Sequence, residues 1–406
     1  MADAFIGLDL GTTGIKAAAF DEHDRQLALT TVPTPTNHVP TGGAEYRAEE
    51  LWAAACSVLQ GVTQQLAVSG HVAAAIAVAS MGESGVLVDG AGQSVAPVIA
   101  WFDARTEPQA AWWREHVGAE RTQAIAAVQP RPVFAAAKML WTKAHLPDAW
   151  AAGQHWLNMA DWATHRLSGV MATDYSLASR TMLFDLAART WSDELIDAAG
   201  LDPTMLAPLI ESGQQVGTVT PETAASTGLP AGIPVSAGGQ DHVCAALALD
   251  VTEPGMLLDS IGTAEAFFLV TDGVDDTDRL AAAGIAQGAH VEPGRTYAMT
   301  GLAPGGGRID QAREDSGLDW DAFLATPEAD AVIESVAVDG QARIAELLDA
   351  AGTADVRHIA TGGGSRNQRL IERKQAIGGR PITVAPETEA TALGAAILAR
   401  RALEAV

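Results

Sequence analysis

The chain has 406 residues, 48% apolar and 18% charged. That exceeds what one hydrophobic core usually serves and is far too apolar for global disorder, so two folded domains are expected. A formal net charge of −25 leaves no basic face to displace counterions from a phosphodiester backbone, which excludes nucleic acid, and it disfavours anionic membrane surfaces. Acidity does not exclude a nucleotide, because backbone N–H groups and Mg2+ supply positive charge locally.

In chain order, residues 4–10 read as an apolar strand, broken by Gly11-Thr12-Thr13-Gly14, with a second strand over 15–20. Residues 49–66 have helical apolar spacing, and 73–79 read as a buried strand. Residues 86–88 and 95–100 flank the turn Asp89-Gly90-Ala91-Gly92, which predicts a hairpin. A helix is expected over 106–117. The Pro-, Gly- and Thr-rich stretch 203–234 reads as loops before a strand at 234–237. A strand at 256–261, a second at 266–270, a strand at 356–360, a helix over 369–377 and a last helix over 388–405 follow. Alternation of this kind argues an α/β fold. The domain boundary is expected near residue 245, giving domains 1–245 and 246–406.

Cys56 and Cys244 are far apart and not at metal spacing, so a reducing compartment and no disulfide scaffold are expected. Residues 1–10 show no basic, apolar leader pattern, and the longest apolar stretches fall far short of a bilayer span. A soluble cytoplasmic protein is expected.

One internal echo stands out. Asp9-Leu10-Gly11-Thr12 and Ser260-Ile261-Gly262-Thr263 each sit between two apolar strands, near the starts of the two domains. This suggests two like-folded halves. In the first echo, Gly11, Thr12 and Thr13 offer backbone and hydroxyl donors to phosphate oxygens, Lys16 a cation, and Asp9 a ligand for Mg2+. An ordinary hairpin with a solvated Lys fits the same letters. Gly238-Gly239-Gln240-Asp241-His242 delivers a carboxylate at a strand end. Asp241 is there either a proton acceptor for a substrate hydroxyl or a helix N-cap, and His242 reads as a local hydrogen-bonding residue. Glu83, Trp101, Asp103 and Arg105 are the residue types that hold a sugar, by hydrogen bonds and an aromatic face; a helix cap, a solvated Arg and core packing are their structural alternatives. Gly362-Gly363-Gly364-Ser365-Arg366-Asn367 lies at a strand–helix junction suited to a nucleotide, and Gly305-Gly306-Gly307 is a further glycine run.

Together these segments resemble the FGGY family of carbohydrate kinases, within the actin/hexokinase-like ATPases. The resemblance rests on residues 7–16, on Trp101-Phe102-Asp103-Ala104-Arg105, and on Thr173-Asp174-Tyr175-Ser176 through Ser179-Arg180-Thr181 to Trp191-Ser192. It continues through Gly232 to Asp241, Gly262-Thr263, 361–367 and Glu389-Ala390-Thr391-Ala392-Leu393-Gly394. It implies two ribonuclease-H-like domains around a central cleft and ATP-dependent phosphorylation of a sugar hydroxyl, with a ketose as first choice and an alditol or aldonate as alternatives. A catalytically weak sugar sensor of the same fold and a chaperone-like ATPase are the rival readings. By resemblance Asp241 is the general base, and Asp9 and Asp241 attend Mg2+. Gly11, Thr12, Thr13, Lys16, Gly262 and Thr263 cradle phosphates. Gly306, Gly307, Gly362, Gly363, Gly364 and Asn367 face the nucleotide, and Glu83, Trp101, Asp103, Arg105 and Gln240 face the sugar. The partners implied are a small sugar or polyol and, by family default, a second copy in a homodimer. The sequence departs from the family between 305 and the last helix, where a Gly-Glu-Arg-x-Pro segment is missing and Gln311 stands where Trp is common. Part of the second domain's nucleotide face is therefore expected to be rebuilt.

Overall fold

The computed structural model describes residues 2–40, 42–274, 277–387 and 389–404. The chain forms two compact units. The first comprises residues 1–248, 289–293 and 389–406, and the second 249–288 and 294–388.

The first unit is built on a six-stranded sheet. Its strands are β1 (Ala2–Leu10), β2 (Gly14–Phe20), β3 (Gln26–Pro33), β4 (His71–Ser80), β5 (Gln215–Thr218) and β6 (Pro234–Gln240), in the order β5-β6-β4-β1-β2-β3. β1, β4 and β6 run parallel, and β2 and β3 meander antiparallel. Strand periodicity sends alternate side chains to opposite faces. Ile6, Leu8 and Leu10 therefore join one core with Leu51, Ala55, Val58, Leu59 and Val62 of helix α1 (Ala48–Ser69). Gly7 and Asp9 point the other way, toward the last helix.

The second unit repeats this pattern. Strands β7 (Met256–Ile261), β8 (Glu265–Thr271), β9 (Ala286–Ala289), β10 (Thr296–Leu302), β11 (Arg357–Thr361) and β12 (Ile382–Val384) form a sheet in the order β9-β10-β8-β7-β11-β12. As β1 pairs antiparallel with β2 and parallel with β4, so β7 pairs antiparallel with β8 and parallel with β11. The echo read in the sequence is thus a repeat of topology.

Several expected elements differ. The turn at 89–93 forms, with Asp89 N donating to Gln93 O, and it closes a short version of the expected hairpin: Val88 bridges antiparallel to Ser94, and Val95 N donates to Leu87 O. Gly85–Val88 also pairs, on its other edge, with His155–Asn158, while Val98–Ile99 leaves the hairpin and pairs with Ala44–Tyr46. The expected helix at 106–117 is an α-helix over Glu107–Trp113 followed by a π-turn at Arg114–Gly118. The stretch read as loops holds β5 and the helix Pro221–Thr227, which Thr220 caps.

The expected cut at 245 falls inside a helix, α2 (Asp241–Ala248). The last helix, α3 (Ala390–Glu404), packs with the first unit; residues 388 and 405 of the expected span lie outside the described residues. Small residues cause this return. A Cβ on Gly7 of β1 would overlap the Ala392 carbonyl, and one on Gly394 would overlap the Cys244 carbonyl. Helix α3 therefore seats backbone-to-backbone on β1 and α2. Gly394→Ala must push these helices apart, and overpacking of this kind costs about 1–3 kcal/mol. The urea midpoint of the full chain should fall accordingly; an unchanged midpoint would mean that the helices do not seat this closely.

Candidate active site

The first unit places its candidate residues at one sheet edge. Leu10, Ser80 and Gln240 stand level across β1, β4 and β6, so the loops leaving all three parallel strands emerge together. Ligands of open α/β sheets bind at such carboxyl ends. This edge carries three carboxylates: Asp9 on β1, Glu83 after β4 and Asp241 after β6.

Each reaches its position for a local reason. The Gly11 turn is closed by Gly11 N donating to Gly14 O (3.1 Å), and Thr34 Oγ1 donates to Gly11 O (2.7 Å). At Gly238 the pairing of β6 with β4 slips by one residue, and a Cβ there would overlap the Val78 carbonyl. Past the bulge Gln240 closes β6 level with Ser80, and Asp241 begins helix α2. Glu83 is held at φ 66°, a left-handed conformation unusual for a side-chain-bearing residue and common at functional sites.

The three carboxylates are stabilised differently. Glu83 is buried and paired with buried Arg180, whose Nε donates to Glu83 Oε1 (2.6 Å). Asp241 receives three donors on a single oxygen: Gln240 Nε2 at 2.7 Å, His242 N at 2.7 Å, and His242 Nδ1 at 2.9 Å. Burial pushes the His242 imidazole down, but the charge and hydrogen bond of Asp241 outweigh it and raise its pKa above the ordinary value. Asp9 has no such partner. Its buried Oδ1 accepts no hydrogen bond. Burial, and then the neighbouring charge of Asp241, push its pKa up to about 8, against the opposing pull of Lys16. A buried acid beside a second acid is an electrostatic deficit that a cation fills. Mg2+ characteristically takes one or two carboxylates and completes its shell with water and phosphate oxygens, so the residues present fit the expected ion. Lys16 meanwhile donates to Glu389 Oε2 (2.8 Å), just before α3.

The aromatic-acid-Arg motif is only partly open. Trp101 is half-buried, and its Nε1 donates to Thr12 Oγ1 (2.8 Å). The Asp103 side chain is 1% exposed. It accepts from Ala44 N (2.7 Å), Arg105 N (2.8 Å), and Arg105 Nε and Nη2 (2.9 and 2.7 Å). Burial pushes its pKa up, and the Arg105 hydrogen bonds more than offset that, leaving it below the ordinary value. Asp103 thus fixes the loop and the Arg105 fork, which also reaches Glu45 (3.1 Å).

The second unit brings three glycine segments together. A Cβ at Gly306 would sit 2.7 Å from Gly262 O, at Gly307 2.8 Å from Thr263 Cγ2, and at Gly362 2.6 Å from Ile261 O; at Gly364 it would overlap the Ile261 side chain. Gly305 N and Gly307 N both donate to Thr263 O (2.9 and 3.2 Å). The runs at 262, 305–307 and 362–364, separate in sequence, form one glycine-walled surface around the β7–β8 turn. Gly363 has open space beside it, whereas the Asn367 side chain caps helix α4 (Gln368–Gly378) by accepting from Leu370 N (3.2 Å).

Sequence reasoning gave no role to Arg180, although it lies in a quoted motif, nor to Glu389. It left His242 as a local residue. Only three-dimensional pairing with Glu83, Lys16 and Asp241 distinguishes them. Among the described residues no group of three or more His, Cys, Asp or Glu side chains could hold a metal by itself, and no helix is long and apolar enough to cross a membrane.

The Glu83–Arg180 pair yields a direct test. Arg180→Met leaves the Glu83 carboxylate buried without its guanidinium, which costs about 3–5 kcal/mol. The double variant Glu83→Gln with Arg180→Met should recover most of that loss in urea unfolding. Equal instability of the single and double variants would show that the ion pair is not what holds the segment.

Residues 4–248 match the N-terminal domain of the FGGY family of carbohydrate kinases, and residues 307–403 match its C-terminal domain. The chain is 27% identical over 314 residues to the xylulose kinase of Escherichia coli strain K12, covering 77% of this chain and 63% of that protein. It is 32% identical over 255 residues to the autoinducer-2 kinase of Klebsiella pneumoniae, covering 62% and 48%. The chain thus spans less than two thirds of the length of these curated relatives. Its fold superposes on the crystal structure of xylulose kinase from Rhodospirillum rubrum with a TM-score of 0.90 at 25% identity, covering 98% of this chain and 89% of that one. The chain belongs to the FGGY family of carbohydrate kinases, with the two-domain actin-like ATPase fold of that family.

Proposed function

We propose that the protein transfers the γ-phosphoryl group of ATP to a hydroxyl of a small sugar, with a ketose as the substrate class, and that Asp241 is the general base. The observation that supports this most is the asymmetry of the Asp241 carboxylate. One oxygen holds three N–H donors, and among the described residues no hydrogen bond engages the other. A carboxylate pinned in this way keeps a fixed orientation and one free oxygen to accept a proton from an alcohol.

The chemistry of the remaining residues follows from their surroundings. In phosphoryl transfer the protein positions the reactants and stabilises charge. The Gly11–Thr13 turn presents backbone and hydroxyl donors beside Asp9. Lys16 exchanges its Glu389 contact for phosphate oxygens. Asp9 would hold Mg2+, which supplies charge neutralisation to the triphosphate when bound. Trp101, Gln240 and the Arg105 fork hold the sugar, and Asp103 keeps that fork in place. The glycine-walled surface of the second unit takes the nucleotide, because backbone without Cβ atoms admits close approach of phosphate and ribose. The ketose assignment draws on the xylulose kinases among the similar proteins.

The test is sugar-dependent release of ADP, screened over pentuloses, hexuloses, alditols and aldonates. At least one ketose should support turnover. Asp241→Asn, which keeps the size of the side chain, should fold, bind sugar, and lose about 10²-fold or more in kcat, the contribution expected of a general base. Turnover near that of the unaltered protein would remove Asp241 from the role.

A further inference from the structure

The second unit buries an ionic cluster that the proposed chemistry does not use. Lys374 of α4 points its ammonium between Asp259 of β7 and Glu265 of β8. Its Nζ lies 2.6 Å from Asp259 Oδ2 and also contacts Glu265 Oε1. His358 Nε2 of β11 approaches Asp259 Oδ2 at 3.3 Å. The side chains of all four residues are fully buried. Glu265 stands opposite Ile261 in the β7–β8 register, and Asp259 lies two residues further along β7. Both acids therefore share a face and flank the Gly262–Thr263 turn.

Such a cluster is expensive. Apolar side chains of similar volume usually serve stability as well or better, whereas ion pairs fix geometry. The neighbours make room for it. Gly340, on the long helix Pro327–Ala350, would place a Cβ 3.2 Å from Lys374 Nζ, and Gly305 lies against Glu265, where a Cβ would be 2.8 Å from its backbone N. The ammonium also lies 5.3 Å from the centre of the Phe267 ring. Helix α4 starts directly after the 362–367 loop. One ammonium thus ties the helix carrying that loop to both legs of the Gly262–Thr263 turn.

We propose that Lys374, with Asp259 and Glu265, is a positioning clamp that fixes the Gly262–Thr263 turn against the 362–367 loop and so sets the shape of the surface that takes the nucleotide. Its bearing on nucleotide rests on the reading given under Proposed function; its mechanical part does not.

The experiment compares the full chain with Lys374→Met and with the triple variant Lys374→Met, Asp259→Asn, Glu265→Gln. The triple variant removes the charges together and serves if the single one fails to fold. In the folded variant, backbone amides of 262–264 and 362–367 should exchange with deuterium at least 10-fold faster than in the unaltered protein. The Gly11–Thr13 turn should be unchanged. The KM for ATP should rise at least 10-fold, with the KM for sugar within twofold. Unchanged exchange at both segments overturns the clamp. Faster exchange with an unchanged KM for ATP overturns its role in shaping the nucleotide surface. If the unaltered protein neither binds ADP nor consumes ATP, the nucleotide reading fails, while exchange still decides the clamp.

Discussion

Three parallel strands that end level, each delivering a carboxylate to the same edge, constrain everything else in the first unit. Like charges gathered in a partly buried place raise one another's cost of ionisation. The chain resolves each one differently. Glu83 takes a buried guanidinium, Asp241 takes three N–H donors on one oxygen, and Asp9 retains an orphaned oxygen and a pKa pushed up to about 8. The first is an ion pair between two buried side chains. The second leaves an oriented oxygen free. The third leaves an unmet demand for positive charge. The last two lie beside each other.

Backbone proximity is the second constraint, and it explains why glycines cluster in motifs. At Gly7, Gly238 and Gly394 a side chain would collide with main-chain carbonyls. These positions have no direct part in chemistry. They bring β1, β6, α2 and α3 close enough for Asp9, Asp241 and Glu389 to share one region. In the second unit the same device serves the surface itself, where glycines from three segments surround Ile261 to Thr263.

Much of this was legible in the sequence because strand ends and glycine turns are local signals. Residues 4–20, 73–79 and 256–270 announced two strand–turn–strand units by alternation and punctuation alone, and the repeated topology follows from them. What depended on long-range pairing was not legible. Val98 and Ile99 had a plausible local partner and took a distant one. Asp103 has the chemistry of a sugar ligand, but Ala44 N and the Arg105 fork claim most of it. Lys374, which no sequence pattern placed, is fully buried, because its two acids arrive from strands more than a hundred residues earlier. No local pattern marks such a partner. The final helix likewise carries small residues whose purpose appears only once β1 lies beneath it.

The hydrogen bond from Trp101 to Thr12 joins the two halves of the first unit's chemistry. An indole N–H can only donate, so the Thr12 oxygen must accept from it. The Thr12 hydroxyl hydrogen is then left to donate elsewhere. A residue that reads as a sugar platform therefore orients a donor that reads as a phosphate contact. The two parts of the site are not independent modules placed side by side. On the proposed reading, in which Trp101 faces the sugar and Thr12 the phosphate, moving the Trp101 ring to suit a different sugar would also release the Thr12 hydroxyl, so selectivity toward one reactant would be tied to the handling of the other.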